Sequence, residues 1–248
     1  MRATRAIVRR LRAWRGYPFR VTLRDLDAGG VIFEISNGAE GHRVLDYGGE
    51  QPYLSAMLSH LSEDDVLFDI GGNIGLVALH AARRCRVVSF EPDPSFRDRL
   101  ERNLSLNPDV RVEVVPIAVT DSDGEVSLFT DGASGMSPSL RHQRNEKGEV
   151  TVEARSLDSL LAENRLPAPT VLKIDIEGAE ILALRGATGL FNSADAPRAL
   201  FLEIHPQLLG AFDATADDVT QLVEGAGYTQ RVYEATRIGE THLILCRP

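Results

Sequence analysis

Cysteine and lysine are scarce in this chain, and long apolar runs are missing. Only Cys85 and Cys246 occur, each beside a strand-like run, so neither a disulfide framework nor a cysteine metal site is expected. That usage suits a reducing compartment, and the expected location is the cytoplasm. No run of roughly 18 apolar residues occurs, so no membrane-spanning helix is expected, and no signal-peptide apolar segment is read either. Lysine is confined to Lys147 and Lys173 among 27 basic residues. Positive charge is in deficit, with a net charge of −9, which disfavours general nucleic-acid binding. Internal repeats and low-complexity tracts are also missing.

What is present suits one soluble α/β domain. The 248 residues are 43% hydrophobic and 25% charged, enough for a sizeable core. The charge is uneven. Residues 1–20 hold seven arginines and no acid, leaving −16 for the remainder. Ile7, Val8, Leu11 and Trp14 share one face of a short basic helix there. Such a helix suits peripheral contact with an anionic membrane, or simple packing on its own domain. The expected divisions are this helix (1–20), an N-terminal β/α cap (21–62) and the main domain (63–248).

The most informative stretch is Asp69-Ile70-Gly71-Gly72-Asn73-Ile74-Gly75, which follows the apolar run Val66-Leu67-Phe68. A buried strand enters a glycine-rich turn and then a helix, the opening of a nucleotide-binding α/β unit. A dinucleotide fingerprint counted from Gly71 would need glycine where Asn73 and Leu76 stand. A P-loop would need a Gly-Lys-Ser/Thr that does not follow. The pattern Asp-x-Gly-x-Asn-x-Gly instead looks like the loop with which class I methyltransferases hold S-adenosylmethionine (SAM). SAM has no phosphate but carries a ribose, an adenine, a sulfonium and a zwitterionic tail. An acid at position 69 suits the α-amino group, while Gly71 and Gly75 let backbone approach a ligand. Glu91 ends the next strand, sixteen residues beyond Gly75, where a carboxylate can accept two hydrogen bonds from a ribose diol. The competing reading makes Glu91 a surface acid favouring the helix that follows.

Strand and helix patterns alternate along the rest. Strands are expected at 20–26, 31–35, 66–70, 86–90, 110–115, 126–130, 149–154, 170–175, 199–204, 228–234 and 241–246, with a short one at 42–46. Helices are expected at 52–61, 74–84, 94–106, 156–164, 178–187 and 215–226. The alternation implies a single Rossmann-like domain, a mostly parallel sheet with helices on both faces and a C-terminal antiparallel strand pair. Asp131–Gly148 has no apolar periodicity and reads as a lid, an acceptor-binding loop or a mobile insertion.

A second constellation sits at strand ends. Asp175 and Glu177 follow the strand 170–175, and Glu203 and His205 close the strand 199–204. In an open α/β sheet, ligands gather at these carboxyl ends. Asp175, Glu177 and His205 are the candidate catalytic residues, since a hydroxyl acceptor must lose a proton to a carboxylate or imidazole. Structural alternatives stand beside them: His205 at a helix start, Asp175 as a helix cap, Glu180 facing solvent. Lys173 needs a partner if buried, and Glu203 is the expected one. Asp175 and Glu177 could hold Mg²⁺, but no second acidic cluster is visible, so no metal site is expected.

These motifs together resemble the FkbM family of SAM-dependent methyltransferases. The resemblance rests on the 68–75 loop, Phe90-Glu91-Pro92-Asp93, Asn103–Asn107, Ala118–Asp121 with Gly124, Ser156–Leu160, Leu172–Glu180, Leu184–Ala187 and Glu203-Ile204-His205. It implies a class I methyltransferase fold and O-methylation of a sugar, glycan or polyketide-like hydroxyl. By residue match it implies that Asp69, Gly71, Asn73, Gly75 and Glu91 bind SAM, with Ala118 near the adenine. Gly72 departs from the family's frequent alanine, a change expected to leave the loop working. Two other readings stay open: a non-catalytic SAM-fold binding module, and an NAD-dependent oxidoreductase, which the failed fingerprint disfavours.

Overall fold

The computed structural model describes residues 16–26, 29–130, 138–140, 148–237 and 239–248. The expected helix at 1–20 therefore falls almost wholly outside the described residues, as does most of the 131–148 loop. Among the described residues no helix is long and apolar enough to cross a membrane.

The chain opens with the hairpin β1 (Phe19–Leu23) and β2 (Val31–Ile35), then α1 (Gly38–Leu45) and α2 (Gln51–Ser59). Alternating elements follow: β3 (Val66–Ile70), α3 (Leu76–Ala81), β4 (Arg86–Phe90), α4 (Pro94–Ser105) and β5 (Val112–Val115). A small sheet is made of β6 (Ala118–Val119), β7 (Gly124–Thr130) and β8 (Gly148–Arg155). Then come α5 (Leu157–Ala162), β9 (Val171–Ile174), α6 (Glu180–Arg185), α7 (Thr188–Phe191), β10 (Ala199–Ile204) and α8 (Pro206–Leu209). The chain finishes with α9 (Ala216–Gly225), β11 (Gln230–Arg237) and β12 (Glu240–Cys246).

The central sheet has seven strands in the order β11-β12-β10-β9-β3-β4-β5. Strands β5, β4, β3, β9 and β10 run parallel, and β12 inserts antiparallel between β10 and β11. The order reverses between β3 and β9, which opens a crevice at their carboxyl ends. Side chains alternate between faces along each strand. Phe68, Ile70, Val88, Phe90, Leu172 and Ile174 meet the helices α5 to α9 on one face. Leu67, Val87, Val171, Ala199 and Phe201 meet the hairpin and α1 to α4 on the other. Residues 21–58 thus share a core with the main sheet.

The expected strand at 42–46 is instead part of α1. Asn37 Oδ1 accepts the Glu40 N–H at 2.9 Å, and Glu40 Oε2 accepts the Ser36 N–H at 2.7 Å. The Asn37 cap starts a helix that the following residues continue, and Glu40 ties back the chain just before it. Two asparagines secure the outer hairpin. Asn107 accepts from Ile32 N–H at 2.8 Å and donates to Ile32 O at 2.7 Å, while Asn103 accepts from Glu34 N–H at 3.0 Å. They satisfy the edge of β2 as a further strand would.

At the opposite end of the sheet, Asp65 joins three strands. It accepts from Arg198 Nε at 3.0 Å and Nη2 at 2.6 Å, from Thr170 Oγ1 at 2.6 Å and from Ser62 N–H at 2.8 Å. Burial alone would raise its pKa, but the Arg198 guanidinium and the hydroxyls hold it below the usual carboxylate range. A depressed carboxyl pKa contributes stability above the unfolded value and loses it as pH falls. Asp65→Ala is expected to lower unfolding free energy by about 2 kcal/mol at neutral pH. Urea denaturation across pH checks this, and the gap to wild type should narrow below about pH 4.

Candidate active site

The glycine loop is fixed by the strands on either side. Gly71 and Gly72 donate their N–H groups to Phe90 O at 3.1 and 3.0 Å. Gly71 has φ +86°, and a Cβ there would lie 2.0 Å from Asp175 O, so only glycine fits. A Cβ on Gly72 would come within 2.2 Å of Ser89 Oγ, which donates to Asp69 Oδ2 at 3.1 Å. Alanine at 72, the family's frequent residue, would need Ser89 to turn away from Asp69, whereas the glycine present leaves that bond in place.

Beneath the loop lies a buried ammonium. Register places Asp69 beside Lys173, and Phe201, not Glu203, on its other side. Lys173 Nζ stands 3.1 Å from Asp69 Oδ1 and 3.4 Å from Asp175 Oδ2, and donates to Gly71 O at 2.8 Å. The expected Lys173–Glu203 pair is thus replaced by Asp69 and Asp175. Burial alone would lower the lysine pKa, but Asp69 and Asp175 hold it above its ordinary value.

An open cleft with about 590 Å³ of empty space, its solvent-filled mouth included, runs along the carboxyl ends of β3, β4 and β9. Gly71, Asn73, Glu91 and Ala118 line it, as do Asp175 and Glu177. Asp69 and Gly75 do not. Asp69 is fully buried against Lys173, and Gly75, at φ +89°, starts α3 where a Cβ would strike Leu79. The apolar wall comes from Phe90, Ile117, Val119 and Leu128, surfaces suited to a purine ring. Pro138 and Leu140, from the described part of the long loop, close one side.

Glu91 accepts the Asn73 N–H at 2.6 Å and the Asp93 N–H at 2.9 Å, which aims its carboxylate across the cleft floor. Burial pushes its pKa up to about 7, against those two backbone donors that favour the ionised form. Asn73 has φ +49°, a left-handed conformation that asparagine tolerates well.

At the far end the expected acid–histidine group converges. His205 Nδ1 meets Glu180 Oε1 at 2.8 Å, and its Nε2 faces Glu203 Oε1 at 3.6 Å and Glu177 Oε2 at 3.8 Å. Glu180, expected at the surface, is fully buried and also accepts the Gly178 N–H at 2.9 Å. Desolvation opposes the charge on His205, but Glu180 and Glu203 outweigh it and push its pKa up to about 12. That favours the imidazolium over the neutral proton acceptor its ordinary pKa suggested. Asp175 is a different case: burial first, then Glu203, raise its pKa, against the pull of Lys173. It does not cap α6, whose cap residue is Ala179.

Sequence reading missed Glu50, Glu240 and His242, which gather around Glu203. Burial and the charges of Glu203 and Asp175 push Glu50 up to about 8. Only the pairing Glu203↔His242 across β10 and β12 reveals the group, and no local spacing signals it.

The family described as Methyltransferase FkbM domain matches residues 69–229. The hexuronic acid methyltransferase AglP of Haloferax volcanii is 30% identical over 207 residues, covering 83% of this chain and 80% of that protein. A stretch of the AMB antimetabolite synthetase AmbE of Pseudomonas aeruginosa is 31% identical, covering 76% of this chain but 11% of that protein. The 2-O-methyltransferase NoeI of Sinorhizobium fredii is 28% identical over 141 residues, 50% of this chain and 57% of that protein. With this match over most of its length, the chain belongs to the FkbM methyltransferases and is an enzyme that uses SAM as its methyl donor.

Proposed function

We propose that the enzyme methylates a hydroxyl oxygen of a sugar or glycan. The observation that carries this reading is the row of acceptor-only carboxylates, Asp175, Glu177 and Glu203, beside the cofactor cleft. Ionised carboxylates accept hydrogen bonds and donate none, which suits a ligand dense in hydroxyl donors. The sugar-directed names of AglP and NoeI support the same acceptor class. Contact of the arginine-rich segment 1–20 with an anionic membrane belongs to this reading too, supported by its charge alone.

SAM supplies an electrophilic methyl carbon on a sulfonium leaving group. Glu91 would hold the ribose diol, and the loop backbone at Gly71 and Asn73 the rest of the cofactor beside it. The side chains at Ile117, Ala118 and Leu128 would enclose the adenine. Asp175 would take the hydroxyl proton as the oxygen attacks the methyl carbon, so that the C–O bond forms while the C–S bond breaks. Glu177, held at φ +52°, would orient the acceptor. The His205 imidazolium would keep Glu177, Glu180 and Glu203 from repelling one another.

A diol donates to an ionised Glu91 and poorly to a protonated one. With the Glu91 pKa at about 7, SAM affinity should rise as pH climbs through 7 and then level off. Glu91→Gln should bind SAM weakly with no such rise. Calorimetric titration at several pH values checks this, and a flat wild-type profile would count against the assignment. Asp175→Asn should lower kcat by about 100-fold or more while SAM affinity stays near wild type. A parallel collapse of SAM affinity would instead mean that Asp175 acts through Lys173 on the loop.

A further inference from the structure

We propose that Glu50, Glu203, Glu240 and His242 form a divalent-cation site beside the acceptor end of the cleft. Their ligand atoms, three carboxylate oxygens and one imidazole nitrogen, all lie within 4.8 Å of one another. The fold makes this convergence unavoidable. Glu203 and His242 are direct partners across β10 and β12. Glu240 and His242 are two apart on one strand and share a face. Glu50 immediately precedes α2, which packs on that face of the sheet.

A second observation points to a ligand. His242 is 1% exposed, yet its Nε2 makes no aligned hydrogen bond. It stands 3.2 Å from Glu203 Oε2, on the side where the other ligand atoms of the group converge. Two donor atoms bound at right angles to one ion, each roughly 2.1 Å away, stand about 3 Å apart. The imidazole is also held from behind. Tyr53 packs on it with ring centroids 4.6 Å apart, and the Tyr53 hydroxyl is anchored on Leu202 O and Leu243 O at 3.0 and 3.2 Å. Fixing a ligand's ring through neighbouring groups is what metal sites require.

The donor set selects the ion. Three carboxylates and one imidazole favour a hard or borderline cation that accepts mixed oxygen and nitrogen ligands, of which Mn²⁺ is the type. Glu50 and Glu240 are only partly buried, which leaves a path from solvent. Glu203 links the two groups: Oε2 faces His242, while Oε1 faces His205. A cation here would stand one carboxylate away from Asp175 and could bind an acceptor oxygen next to the one methylated. That role rests on the acceptor reading above, whereas the site itself does not.

The test is a Mn²⁺ titration of the full chain after chelator treatment, read by electron paramagnetic resonance and by thermal melting. One Mn²⁺ per chain is expected, with a higher Tm for the wild type. Glu50→Gln, at a partly exposed position, should fold and lose at least tenfold in Mn²⁺ affinity, and His242→Gln should lose more. Asp175→Asn should bind Mn²⁺ like wild type. No stoichiometric binding, or binding untouched by both ligand substitutions, overturns the proposal. Stoichiometric Mn²⁺ binding without methyl transfer to any hydroxyl acceptor would sustain the site and sink the acceptor reading instead.

Discussion

Everything at the active end of this enzyme depends on one buried ammonium group. Lys173 sits between Asp69 on β3 and Asp175 at the end of β9, and it donates to the carbonyl of Gly71. An unpaired ammonium at this depth would be prohibitive, so both carboxylates and the carbonyl must stay in place. The constraint ties together the two strands where sheet order reverses. It also presses the glycine loop against Asp175 O, a contact so close that position 71 admits no Cβ. The acid of the loop motif thus works from beneath, by holding the lysine that holds the loop.

Two further layers build on that anchor. The loop's next amide, from Asn73, fixes Glu91 across the crevice, so one turn positions a carboxylate contributed by the neighbouring strand. On the other side, the tight turn Glu177-Gly178 leads into Glu180, which grips His205. The row of acids continues from there to Glu203 and His242. A protonated His205 lets several carboxylates stand together, and so the geometry of the acceptor end rests on charge balance more than on apolar packing.

Much of this was legible in the sequence because the parallel strands are short apolar runs closed by turn residues. The run Val66–Ile70 followed by two glycines announces both a strand and a close backbone approach, and the structure has both. Legibility stops where pairing between strands decides. Whether Lys173 meets Asp69 or Glu203 depends on register, and β10 places Phe201 at that level. His205 looked like a base because its surroundings are invisible along the chain; Glu180 comes from a different helix. The short strand read at 42–46 failed because Asn37 caps a helix start just before it. Glu50, Glu240 and His242 lie at opposite ends of the chain and meet only through sheet order.

The most direct test of this account is a crystal structure of the enzyme with S-adenosylhomocysteine, the demethylated cofactor. The account predicts the ribose hydroxyls on Glu91, the adenine between Ala118 and Leu128, and Asp69 still paired with Lys173 and out of contact with the ligand. A nucleoside bound away from Glu91, or Asp69 freed from Lys173 to grip the amino group, would contradict it.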